Sequence, residues 1–145
     1  MPIQGEYEPS PWKAVADQVA LYEATAGAEG GTLQDRPVVI LTTRGRRSGK
    51  VRKTPLMRVE HNGTYAVVAS MGGAPKHPVW YFNLIASPDV TLQDGANVYD
   101  MAAREVHGDE RARWWTVAVD AWPAYAEYQA RTERQIPVVV LEPTV

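Results

Sequence analysis

The sequence of 145 residues has no cysteine, so it can form no disulfide, carries no thiolate nucleophile and offers no thiolate to a metal. It also lacks any uninterrupted apolar run near the ~20 residues that a membrane span requires. Met1 to Pro11 have neither the basic start nor the apolar stretch of a secretory signal, which makes a cytoplasmic chain the expectation. Several catalytic signatures are missing as well. There is no Gly-x-Gly-x-x-Gly dinucleotide fingerprint and no Gly-x-Ser-x-Gly nucleophile turn, which argues against a Rossmann dehydrogenase and a serine hydrolase. Gly45-Arg46-Arg47-Ser48-Gly49-Lys50 is one residue short of a phosphate-binding loop and is followed by Val51 where such a loop needs Ser or Thr for magnesium, which argues against ATP chemistry. His61, His77 and His107 stand far apart, none with a partner at metal-site spacing, and no metal is expected.

What is present fits a chain that folds. Apolar residues make up 45% and charged residues 22%, an ordinary balance for a globular domain and too apolar for a disordered one. The length suits one domain with a core of its own. Net charge is −2, yet six of the 15 cationic residues fall between Arg44 and Lys53. Without those six the remainder carries −8, so the positive charge is a local device on an acidic body. That pattern fits a discrete anionic ligand and not a nucleic acid.

Ser10-Pro11 starts a helical pattern, with Trp12, Val15, Ala16, Val19 and Tyr22 on one stripe, and the spacing predicts an amphipathic helix that covers the core. A lid over a pocket and a membrane-surface contact are the alternatives for it. Residues 1–30 form this helix and a glycine-rich linker, and residues 31–145 the main domain. Strands are predicted over Pro37 to Thr43, Val51 to Glu60, Thr64 to Ser70, Val90 to Gln93, Val98 to Val106 and Pro137 to Leu141, with Asn62-Gly63 as a hairpin turn rather than a glycosylation site. Helices are predicted from about His77 to Ala86 and from Asp109 to Ala121, and Pro123 either stops the latter or starts another. Hairpin order with peripheral helices argues for an antiparallel α+β barrel.

Three segments can carry chemistry. The turn Arg44 to Arg52 joins two strands, and its amides and guanidinium groups can grip an anion; a solvated hairpin tip is the bland alternative. In Ala69 to Tyr81 a strand end meets Gly72-Gly73 and then a helix start, where a flat ring can approach the backbone and Trp80 is an aromatic wall or core filling. Among Trp114, Trp115, Trp122, Tyr125 and Tyr128 most are expected in the core. Tyr125 and Tyr128 either pack there or line a pocket with a hydroxyl.

Taken together, Leu41 to Arg52, Ala69 to Tyr81 and Trp122 to Pro137 make the sequence similar to the deazaflavin-dependent nitroreductase family of actinobacteria. The likeness runs from Gly30 to Pro143. It implies a split β-barrel related to the flavin-mononucleotide reductases and pyridoxamine-phosphate oxidases, hydride transfer, and binding of an 8-hydroxy-5-deazaflavin with a phosphate and polyglutamate tail, coenzyme F420. By the same resemblance Arg46, Arg47, Ser48 and Arg52 hold the tail and phosphate, with Pro55 and Leu56 beside them. The ring rests on Val68, Ala69, Ser70 and Met71, with Val79, Trp80 and Tyr81 closing the other side and Tyr128 completing the pocket. Met57, Met71, Trp122 and Tyr125 are placed around the substrate, and three of them differ from the prodrug-activating member in ways that disfavour nitroimidazole turnover. The expected acceptors are quinones, enones in flat lactones, or nitroaromatics, with Tyr125 or Ser70 supplying the proton. The rivals are an FMN enzyme of the same barrel, a deazaflavin storage protein and, more distantly, a nucleic-acid module.

Overall fold

A period of two in the apolar residues governs the sheet. In the computed structural model, which describes residues 3–144, β1 (Thr32–Leu33) and β2 (Arg36–Arg44) are followed by β3 (Val51–Met57), β4 (Val59–His61) and β5 (Thr64–Val68). Then come β6 (Asp89–Asp94), β7 (Asn97–Glu105) and β8 (Val138–Pro143). Successive side chains of a strand point to opposite faces. Val38, Ile40, Ala66, Val68, Val138 and Val140 accordingly share one apolar cluster. Their neighbours Val39, Leu41, Tyr65, Val67, Val139 and Leu141 build the other.

All strand pairs of the sheet are antiparallel, in the order β1-β2-β6-β7-β8-β5-β4 with β3 on β2. Among the described residues four α-helices flank it: α1 (Lys13–Thr25), α2 (Val79–Ala86), α3 (Gly108–Ala121) and α4 (Ala124–Ala130). The first cluster includes Val19 and Tyr22 of α1, Ala118 of α3 and Tyr125 of α4, whereas α2 closes the second with Trp80 and Leu84. The α+β barrel expected from the sequence is the architecture formed.

Several boundaries moved for identifiable reasons. The single strand expected over Val51 to Glu60 breaks at Arg58, whose N–H still donates to Pro37 O at 3.0 Å while its Nε bonds Asp94 at 2.9 Å. There the chain leaves β2 for β5 and changes from one part of the sheet to the other. The helix expected from His77 starts at Val79, because Pro78 is extended (ψ 155°) and disfavours helical geometry at His77 before it. Pro123 is the residue that opens α4. Ser10 accepts the Trp12 N–H at 3.2 Å, yet α1 begins only at Lys13 and leaves Trp12 71% exposed, off the buried stripe. What docks α1 is Tyr22, whose hydroxyl donates to Val38 O at 3.2 Å and accepts the Gly95 N–H at 2.7 Å.

Candidate functional site

Three adjoining cavities run as one groove across the open ends of β3 and β5. The first, about 260 Å³, is lined by Pro55, Leu56 and Met57 at the end of β3, by Val68 and Ser70 at the end of β5, and by Trp122, Tyr125 and Tyr128. Met71, Pro78 and Trp80 are shared with the second, about 310 Å³, which is walled by Trp12 and Val15 from the α1 end and by Arg52 and Val79. Arg52, Val79 and Asn83 lead into the third, about 390 Å³, lined by Gly45, Arg46, Arg47 and Ser48. One end is thus apolar and aromatic, and the other carries three arginines.

The apolar end rests on an unusual backbone. A 3₁₀ turn, Met71–Gly73, has three successive positive φ angles: 47° at Met71, 64° at Gly72 and 83° at Gly73. Gly72 borders the cavity, and a Cβ there would meet only open space. Gly73 sits against α4, where a Cβ would come 2.7 Å from Tyr128 O. A left-handed Met71 costs about 1 kcal/mol or more, and something must hold it. Arg134 does so with its whole fork, donating to Ala74 O (2.8 Å), Ala69 O (3.1 Å) and Ser70 O (2.7 Å) and meeting His77 Nδ1 at 2.9 Å. Burial and the Arg134 charge both hold the His77 pKa below its ordinary value, so the ring is a neutral acceptor for the guanidinium.

Above this turn Tyr125 is 5% exposed and meets Tyr128 edge-on, with ring centroids 6.2 Å apart. Burial, then the Tyr128 phenol, raise the Tyr125 pKa above the usual tyrosine value. The group is a neutral hydroxyl at ordinary pH. Ser70, also buried, lines the same cavity.

At the basic end the turn is closed by Gly45 N–H to Lys50 O (2.7 Å) and Gly49 N–H to Gly45 O (2.9 Å). The Ser48 hydroxyl accepts the Lys50 N–H at 3.1 Å, so it shapes the turn as well as lining the cavity. Asn83 Oδ1 of α2 accepts the Arg46 N–H at 3.1 Å, and the Arg46 guanidinium lies 4.9 Å from the Phe82 ring centre. The amino end of α2 points into the groove at Val79 and Trp80, where unbonded helix N–H groups favour an anion. A ligand with a flat ring at one end and an anionic chain at the other fits this arrangement.

Of the residues expected at the site, all but two line the groove. Ala69 is fully buried beneath it and contributes its carbonyl to Arg134. Tyr81 turns away to Glu105, which takes its hydroxyl, and packs on His77 and Phe82. Arg134 and Asn83 were not foreseen as site residues. Their only sequence signal was position: Arg134 lies in the Trp122 to Pro137 segment and Asn83 one turn into the helix after the glycines.

The sequence pattern of a family described as F420H(2)-dependent quinone reductase matches residues 14–143. An F420H(2)-dependent quinone reductase of Mycobacterium tuberculosis (strain ATCC 25618 / H37Rv) is 37% identical over 126 residues, 84% of this chain and 85% of the relative. A solved F420-H2 dependent reductase is 58% identical with a TM-score of 0.71, covering 77% of this chain and 98% of the other. Another solved structure, described as a domain-swapped dimer, is 52% identical with a TM-score of 0.73 over 92% of this chain and 100% of the other.

Proposed function

Since the chain belongs to the F420H(2)-dependent quinone reductase family, we propose that its groove binds the reduced deazaflavin coenzyme with the ring over Ser70 to Gly73 and the phosphate and acidic tail along Arg46, Arg47 and Arg52. The protein is an oxidoreductase that uses coenzyme F420. The observation that carries the placement is the continuity of the groove from an aromatic end to a basic one.

When bound, the reduced coenzyme supplies the hydride, and the protein supplies position and surroundings. The left-handed Gly72 lets a ring lie against backbone. The α2 amino end and the arginines hold the anionic part, which fixes the ring in register with the acceptor. Met57, Trp122 and Tyr125 shape the space left for an acceptor. Their apolar surface excludes water and suits a flat quinone or enone better than a polar substrate. Hydride addition to such an acceptor leaves an oxyanion that needs one proton. The Tyr125 hydroxyl is the donor, with Ser70 as the nearby alternative; its raised pKa means the phenol stands protonated at ordinary pH.

The decisive experiment mixes the purified protein with reduced coenzyme F420 and separate quinones, menadione among them, enones and nitroaromatics, and follows coenzyme oxidation. Acceptor-dependent oxidation, fastest with quinones or enones, is the expected result. No oxidation with any acceptor overturns the reading, and tighter binding of FMN than of the deazaflavin overturns the cofactor assignment.

A further inference from the structure

The segment ahead of α1 lies along the basic turn as an added edge. Val51 N–H donates to Glu6 O at 2.7 Å, Glu8 N–H donates to Val51 O at 2.9 Å, and Tyr7 pairs with Val51 in a single parallel bridge. Upstream, the Ile3 N–H donates to Thr91 Oγ1 at 2.9 Å. This pairing sets the segment against the cations of the turn one after another. Arg44 donates to Gln4 O at 2.7 Å, Lys50 Nζ stands 3.9 Å from Glu6, and Arg52 bonds Glu8 Oε1 at 3.1 Å. Lys53 lies 5.1 Å from the Tyr7 ring centre and pairs with Glu23 of α1. Among the described residues, only Arg46 and Arg47 of the six cations have side chains that take neither a carboxylate nor a backbone carbonyl.

Glu8 differs from the other two acids of this set because it alone lines the basic cavity, beside Arg46, Arg47 and Arg52. We propose that Glu8 is a specificity-determining residue of the tail site: an internal carboxylate on Arg52 that an incoming acidic tail must displace, lowering affinity for tailed ligands without touching ring recognition. The inference rests on the reading that this cavity takes the coenzyme tail. The Glu8 and Arg52 side chains are 39% and 32% exposed, so the pair is weak and exchangeable. A carboxylate tail makes the same bond that Glu8 makes, and its other oxygens are left to Arg46 and Arg47. A neutral ligand gains nothing from displacing Glu8.

The test compares wild type with Glu8→Gln, which keeps the backbone pairing, using two probes: coenzyme F420 with its tail, and the same deazaflavin with its ribityl chain but without phosphate or glutamates. Dissociation constants come from fluorescence quenching at fixed ionic strength. Glu8→Gln is expected to bind the tailed coenzyme about 5-fold more tightly, the scale of one exposed ion pair, and the tail-free probe within about 2-fold of wild type. Glu6→Gln, outside the cavity, should change neither by more than about 2-fold. In an Arg52→Gln background the Glu8→Gln gain should shrink, because the pair being broken is gone. Unchanged or weaker binding of the tailed coenzyme by Glu8→Gln, or an equal gain for both probes, overturns the inference. If wild type binds neither probe, the tail-site reading itself fails and this inference falls with it; tailed binding by wild type with no Glu8→Gln gain removes only the inference.

Discussion

Tyr125 and Arg134 do different work around the same turn, and each predicts a separable phenotype. Tyr125→Phe keeps the ring and the edge contact with Tyr128 but removes the hydroxyl. Single-turnover reduction of a quinone should slow by about 10-fold or more, with coenzyme affinity nearly unchanged; a rate equal to wild type for every acceptor would remove Tyr125 as donor. Because the Tyr125 pKa is raised, its contribution to the rate should persist past about pH 10, where an ordinary tyrosine ionises. The stability consequence has the opposite sense. Above about pH 10 the phenol of the unfolded chain ionises while that of the folded chain does not, so the fold weakens as pH rises. Arg134→Lys replaces a planar fork by a point charge and strands carbonyls that the fork now satisfies. A loss of about 2 to 4 kcal/mol in denaturant unfolding is expected, with a coenzyme affinity that falls further than stability alone explains. Nothing in the sequence pointed to the role of Arg134. Its partners lie some 60 residues away, at 60, 64 and 65 positions, and no periodicity reaches that far. Tyr125, in contrast, was visible as an aromatic on a short helix.

The 3₁₀ turn between β5 and α2 sets a contrast between two adjacent glycines. Gly73→Ala forces a Cβ to within 2.7 Å of Tyr128 O at a φ of 83°, and α4 must move. It should cost at least about 2 kcal/mol and loosen the pocket. Gly72→Ala meets no protein atom within 4 Å, so stability should fall only by about 1 kcal/mol from the left-handed φ, while its methyl enters the cavity and coenzyme affinity drops sharply. Paired thermal melts and binding titrations check both; equal effects on both measurements would contradict the assignment of Gly72 to the ring face. At this scale the sequence was informative wherever alternation or a turn dipeptide spoke for itself, as in Pro37 to Thr43 and at Asn62-Gly63, whose φ angles are 53° and 82°. It was silent at Arg58, because a strand that changes partners keeps its alternation. It was also silent on the pairing of residues 6 to 8 with Val51, because a single isolated bridge leaves no periodic pattern.

Across the whole molecule the charge asymmetry legible in the composition survives as geometry. Three of the cations between Arg44 and Lys53, namely Arg46, Arg47 and Arg52, line one end of a groove whose other end is apolar. Coenzyme binding should therefore weaken as salt rises, and the tail-free deazaflavin should show little salt dependence. Bound coenzyme at one hundred times its dissociation constant should stabilise the fold by about 2.7 kcal/mol, measurable as an upward shift in Tm; no shift would contradict binding to the folded state. How the hairpins join in the sheet, however, followed from nothing in the hairpin pattern. β8, which follows both in sequence, lies between β5 and β7, pairing with Tyr65 to Val68 on one side and Met101 to Glu105 on the other. During synthesis those two earlier strands therefore wait with open edges until β8 has emerged. The nascent protein passes through a window in which its two halves are unjoined and able to pair with other chains. Slow translation of the codons for β8 would lengthen that window, and a chaperone acting on this protein would be needed most there.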